Sequence, residues 1–211
     1  MTRIKTTHVG SLPRGEELTP LLLARDAGKP YDAAEFDRVV STAVSDAVKQ
    51  QVAAEVSVVS DGELGKVGYS TYMIERLSGF GGHTDRKPAA DLAEVPDLAK
   101  KLSAIMGSQE FVRASCIDEV KLITLEPLHD DIRRFRAALD AHAAPETEAF
   151  MNAASPGLIT AFQVNRFYPS HEAYLAALVD AMREEYETIV NAAFYLQLDC
   201  PDLAMSRHTG Y

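Results

Sequence analysis

The chain has 211 residues, 46% hydrophobic and 25% charged, enough to bury a core in one domain and too apolar for a disordered or collagen-like chain. Its 21 basic and 31 acidic side chains leave a net charge of -10, the wrong sign for binding a phosphate backbone or an anionic membrane. Neither nucleic acid nor membrane is therefore expected as a partner. The two cysteines, Cys116 and Cys200, show no pairing pattern and fit a reduced compartment. Residues 1–10 lack an apolar signal-peptide core. The longest uncharged run, 149–165, is too short for a span and contains Asn152, Pro156-Gly157 and Gln163. A cytoplasmic protein is expected.

Apolar runs that end in small or acidic residues alternate with amphipathic helices, the α/β pattern. The first run, 4–11, predicts a strand that leaves through Gly10-Ser11-Leu12-Pro13. A helix follows, because Phe36, Val39, Val40, Ala43, Val44, Ala47, Val48 and Val52 recur at three- and four-residue steps opposite Asp37, Asp46 and Lys49. Residues 56–60 predict a short buried strand whose carboxyl end opens into Asp61-Gly62-Glu63. From 79 to 96, Gly81, Gly82, Pro88 and Pro96 predict a long excursion loop with a short helix after Pro96. Residues 120–125 predict another strand, 130–141 a helix carrying Ile132, Phe135 and Leu139, and 150–154 a strand opening into Ser155-Pro156-Gly157. Ser170 suits the N-cap of a last helix that buries Leu175, Leu178, Val179, Met182, Tyr186, Ile189 and Val190. The strand 194–198 then runs into Asp199-Cys200-Pro201. Polar and acidic residues at strand carboxyl ends are the layout of a β/α barrel, whose sites gather on that face. A doubly wound sheet shares the rule, but neither G-x-G-x-x-G nor G-x-x-x-x-G-K-S/T follows any strand, so the barrel is favoured.

Glu63 and Asp199 end two different strands of that sheet, and parallel strand ends would aim both carboxylates into one mouth, where together they suit an ammonium group. On the residues alone, each could equally cap a helix or pair with an arginine. Asp61 is better suited to capping its own loop. Val9-Gly10-Ser11 offers backbone N–H groups with little obstruction and one hydroxyl, a nest for a carboxylate, although any Gly-Ser turn looks alike. His8 reads first as a structural hydrogen-bonding residue and, with Asp61 and Cys200, as a pocket-wall candidate. Cys200 and His208 are the one cysteine–histidine pair close in sequence, and no H-x-H, H-x-C, C-x-x-C or H-E-x-x-H occurs, so a closed zinc site built from this chain alone is not expected. Cys116 reads as a small buried hydrophobe. The lack of G-x-S-x-G argues against a Ser-His-Asp hydrolase.

Four fragments in order, Thr6-Thr7-His8-Val9-Gly10-Ser11-Leu12-Pro13-Arg14, Ser60-Asp61-Gly62-Glu63, Ala154-Ser155-Pro156-Gly157 and Gln197-Leu198-Asp199-Cys200-Pro201-Asp202-Leu203, resemble the catalytic barrel of cobalamin-independent methionine synthase over nearly the whole chain. The Asp199-Cys200-Pro201 form is more similar to short relatives of that family, including epoxyalkane:coenzyme M transferase. The resemblance implies a TIM (β/α)8 barrel present only in part, about five of its eight strands, as a single incomplete catalytic domain over residues 1–211. It implies an S-methyltransferase of methionine biosynthesis that moves a methyl group from a folate-like donor to the thiol of homocysteine. Val9, Gly10 and Ser11 would hold the substrate carboxylate, and Glu63 and Asp199 its amino group, the same pair that the strand ends bring together.

In that family zinc binds the substrate sulfur and presents a thiolate, which a free thiol of pKa ~8.5 does not supply at neutral pH. The family's His-x-Cys ligands and final Cys come from strands after the Asp-x-Pro motif and have no counterpart here; Cys200 stands where the family usually has Glu. No residue is therefore assigned a catalytic or metal-ligating role, and the isolated chain is expected to be inactive. It is also expected to expose an unpaired edge at the strand ending in Asp199, to be completed by further chain or by a second chain. Two alternatives remain: thiol transfer of the epoxyalkane:coenzyme M type, and a non-catalytic module that keeps the thiol-ligand pocket and has lost zinc. Coenzyme M has no amino group for Glu63 and Asp199 to meet.

Overall fold

The computed structural model describes residues 4–82, 94–98, 100–101 and 114–204. In chain order these form α1 (Leu18–Asp26), α2 (Ala33–Ala53), β1 (Val58–Ser60), a 3-10 turn (Tyr72–Glu75), β2 (Phe80–Gly81), β3 (Ser115–Cys116), α3 (Glu126–His142), β4 (Glu148–Ala154), α4 (Pro156–Phe162), α5 (His171–Asn191) and β5 (Tyr195–Asp199). The fold is α/β. Its main sheet has the order β1-β4-β5, parallel throughout, with Ser60 opposite Phe150, Asn152 opposite Gln197 and Ala154 opposite Asp199. A two-stranded antiparallel ribbon, β2 with β3, stands apart from it.

Because strand side chains alternate, β4 sends Ala149, Met151 and Ala153 into one core cluster with Val59, Val40, Val44, Val48, Phe135 and Leu139. The opposite face carries Phe150, Asn152 and Ala154, and in register with them Tyr195, Gln197 and Asp199. A second cluster packs Ala154, Leu158, Ile159, Tyr174, Leu178 and Met182 against Tyr72, Met73, Leu77 and Cys116. Asp32 caps α2 by accepting from the N–H groups of Ala34 and Glu35, Ser155 caps α4 through Leu158, and Ser170 caps α5 through Ala173.

Several expectations need correction. Residues 4–11 do not form a full strand: Thr7 makes a single parallel bridge to Val58, and the Thr6 carbonyl accepts from Ser57 and Val58. Ile4 and Val9 are exposed, so the run lacks the buried face that would extend the pairing. Residues 120–125 do not join the sheet either. Their backbone bonds go antiparallel to residues 76–78, with Leu122 bridging Leu77 and the N–H groups of Ile123 and Thr124 donating to Arg76, so β1 pairs directly with β4. The predicted loop from 79 begins instead as strand β2; residues 83–93 lie outside the described residues, and residues 96–98 are helical. In α5 the buried stripe runs through Tyr174, Leu178, Ala181, Met182, Glu185 and Ile189, leaving Val179 and Val190 exposed. Among the described residues no helix is long and apolar enough to cross a membrane.

Candidate functional site

The carboxyl ends of β1, β4 and β5 and the turn at 9–14 meet at one place. Beyond β1 the chain reverses tightly: Asp61 Oδ1 accepts from Glu63 N at 2.9 Å and Ser60 Oγ from Gly62 N at 3.2 Å, so Asp61 is the loop-capping residue its position suggested. Gly62 and Glu63 both adopt left-handed backbone, φ 65° and 57°. Glycine suits position 62 on two counts, since a Cβ there would also lie 2.7 Å from Leu12 Cδ1. The Leu12 N–H donates to the Gly62 carbonyl at 3.0 Å, which fixes the first turn against the second.

These constraints aim the Glu63 carboxylate at its partners. Ser11 Oγ donates to Oε2 at 2.5 Å and Asn152 Nδ2 to Oε1 at 2.9 Å. The same Asn152 nitrogen donates to Asp199 Oδ2 at 2.7 Å, and Gln197 Nε2 donates to Asp199 Oδ1 at 2.9 Å. One amide NH2 thus bridges the two acids that chain position had singled out, and Ser11 joins them. Each carboxylate oxygen accepts one neutral donor and keeps capacity for another. Among the described residues neither acid forms an ion pair. Glu63 is buried, Asp199 half-buried and Ser11 exposed, so the cluster opens toward solvent on the Ser11–Asp199 side.

Cations stand behind the acids rather than on them. Lys66, 2% exposed, donates to the Asn152 carbonyl at 2.7 Å and to Asn152 Oδ1 at 2.8 Å, with Nζ 4.7 Å from the Tyr72 ring centroid. Arg14 Nη2 donates to the carbonyls of Lys66 at 2.7 Å and Glu63 at 3.3 Å and approaches Ser11 Oγ at 3.5 Å. Its own Nε is buried and has no hydrogen-bond partner among the described residues. Burial lowers the Arg14 pKa, with nearby Glu63 opposing. Further back, Tyr72 donates to Glu185 at 2.6 Å and accepts from Ala154 N at 2.9 Å, while Arg76 pairs with Asp131 at 3.1 Å and Glu185 at 3.0 Å. Burial raises the pKa of Asp131 against the opposing pull of Arg76 and Lys66.

The remaining candidates fall outside this cluster of bonds. Val9 and Gly10 line the exposed turn, where Gly10 has φ 92°. His8 Nε2 is buried and has no hydrogen-bond partner among the described residues. Cys116 is fully buried in the second core cluster, and burial pushes its thiol pKa up. Cys200 is half-buried and reduced, and His208 lies outside the described residues. No group of three or more His, Cys, Asp or Glu side chains among the described residues could hold a metal ion. The described donor set therefore does not fit a zinc centre. Sequence reasoning missed Asn152, Lys66 and the anchoring role of Arg14. A polar residue inside the apolar run 150–154 was the available signal for Asn152; none pointed to Lys66.

No protein-family model and no curated protein matches the sequence. Solved structures are similar in fold. A B12-independent methionine synthase from Shewanella sp. W3-18-1, determined in complex with selenomethionine, is similar with a TM-score of 0.66 and 18% identity over 93% of this chain and 51% of that one. A putative vitamin-B12 independent methionine synthase from Listeria monocytogenes is similar with a TM-score of 0.63 and 16% identity, over 94% of this chain and 53% of that one. The likeness is one of fold, and the chain spans about half the length of these structures.

Proposed function

We propose that this chain binds an amino-acid thiol, homocysteine, as part of an S-methyltransferase related to cobalamin-independent methionine synthase, within a β/α barrel that it forms in part. The observation that carries the reading is the bridging of Glu63 and Asp199 by Asn152, with Ser11 on the same carboxylate. Two carboxylates held by neutral donors, with no cation on either among the described residues, form a receptor for one ammonium group. The exposed turn at Val9, Gly10 and Ser11 is tied to Glu63 through Ser11, and we assign to it the carboxylate of the same zwitterion. The selenomethionine in the Shewanella enzyme is an amino acid of the same kind.

The part of the reaction these residues perform is binding and orientation: ammonium on Glu63 and Asp199, carboxylate on the turn, and the side chain left to project toward its methyl donor. A folate-like compound is the donor class we assign. Zinc would supply thiolate activation in such enzymes, but the described residues do not provide for it.

Calorimetry of L-homocysteine and coenzyme M against the chain tests this reading. Homocysteine should bind at least about tenfold more tightly, a difference of about 1.4 kcal/mol, and Glu63→Gln should remove most of that advantage because it weakens a charge-assisted contact. Equal affinities, or homocysteine binding unaffected by Glu63→Gln, would reject it and favour the coenzyme M alternative.

A further inference from the structure

Lys66 and Asn152 belong to neither acid nor turn, yet they determine how the acids stand. An ammonium only donates, so Lys66 can face Asn152 through oxygen alone, and it engages both of that residue's oxygens, the carbonyl at 2.7 Å and Oδ1 at 2.8 Å. With Oδ1 so held, the Asn152 amide has one orientation available, in which Nδ2 points away from Lys66 and its two hydrogens reach Glu63 at 2.9 Å and Asp199 at 2.7 Å. Lys66 is itself fixed. It is buried against the face of Tyr72, a ring pinned by Glu185 and Ala154 N.

A lysine placed directly on Glu63 or Asp199 would occupy the lone pairs that a ligand ammonium needs. One amide further back, its charge polarises the Asn152 N–H donors and leaves the acids' outer lone pairs open. We propose that Lys66 and Asn152 act together as a positioning pair that holds the two carboxylates at the spacing of a single ammonium, and so set the preference for ligands that carry an amino group. The inference rests on the amino-acid reading of the site and assigns its specificity to residues that do not themselves contact the substrate's reacting atoms.

The test compares L-methionine with its des-amino analogue, 4-(methylthio)butanoate, by calorimetry on the full chain and on its Asn152→Ser and Lys66→Met variants, each first checked for an unchanged circular dichroism spectrum. In both variants methionine should weaken about tenfold or more while the analogue changes less than twofold, so the selectivity ratio collapses. A purely structural role would weaken both ligands alike. If a variant does not fold, the unaltered chain carries the test: the side-chain NH2 resonances of Asn152 in a 15N-resolved spectrum should shift on adding methionine and stay in place on adding the analogue. Methionine binding with an unchanged selectivity ratio, or resonances that respond equally to both ligands, overturns the positioning role alone. Failure of the unaltered chain to bind methionine overturns the amino-acid reading, and this inference with it.

Discussion

Glu63 holds its carboxylate in place at a backbone cost, because a side-chain-bearing residue at φ 57° sits about 1 kcal/mol or more above its ordinary conformations. The turn tolerates this because Asp61 and Leu12 satisfy its backbone groups. Two residues on, Gly65 has an ordinary backbone but no space: a Cβ there would lie 2.2 Å from Asp131 Oδ1. That carboxylate cannot swing away, since Arg76 holds it at 3.1 Å and Arg134 at 3.2 Å inside the protein. Gly65→Ala should therefore cost about 3 kcal/mol, the scale of disrupting a buried ion pair. Gly15→Ala, where no atom of the described residues lies within 4 Å of the added Cβ, should stay within about 0.5 kcal/mol. Urea midpoints of the two variants check the contrast, and equal midpoints would show that Asp131 is not seated against Gly65. Glu63 and Asp199 were legible as candidates because each stands at the carboxyl end of a predicted strand, and Ser11 because it stands in a Gly-Ser turn. The role of Asn152 was not: a polar residue in the apolar run 150–154 marks the position, but what it does depends on Lys66 from a distant loop.

Among the elements, the long helices α2, α3 and α5 were readable, whereas α1 and α4 were not. The stripe from Phe36 to Val52 has only one arrangement that buries it, and α2 follows it, with Asp37 on the far side meeting Arg133 and Arg134 of α3 at 2.8 Å. Helix α1 escaped notice because Leu21-Leu22-Leu23 is a continuous run with no one-sided stripe; only Leu18 and Leu22 are buried. The segment 120–125 misled for the opposite reason. Its β-branched residues suit a strand, but Ser78 and Arg76, far back in the chain, take its backbone groups, a choice made by tertiary contacts that propensity does not encode. Caps were the most local signal and the most dependable one. Ser170 Oγ accepts from Ala173 N at 3.2 Å at the start of a 21-residue helix, so Ser170→Ala should lower stability by about 1 kcal/mol. A thermal melt of that variant should show a small downward shift, and Ser170→Asp, which keeps an acceptor, should show almost none.

At the scale of the whole molecule, the parallel order of β1, β4 and β5 puts their carboxyl ends at one site, and the same order leaves β5 as an edge. Among the described residues β5 pairs with β4 alone, and Tyr195 and Leu198 on it, Val179 and Val190 on α5, and Leu203 beyond are all exposed. An exposed strand edge beside apolar side chains is a template for association. The net charge of -10 opposes contact between copies at low ionic strength, and salt screens that repulsion while strengthening apolar burial. The 211-residue chain should therefore sediment as a mixture that shifts toward larger species as salt is raised. Leu198→Lys combined with Val190→Lys should return it to a single small species at all salt concentrations, because both changes place charge on the exposed surface without touching Asn152, Glu63 or Asp199. A chain that sediments as one monomer regardless of salt, before any substitution, would mean that this strand edge and its exposed apolar residues are stable in water as they stand.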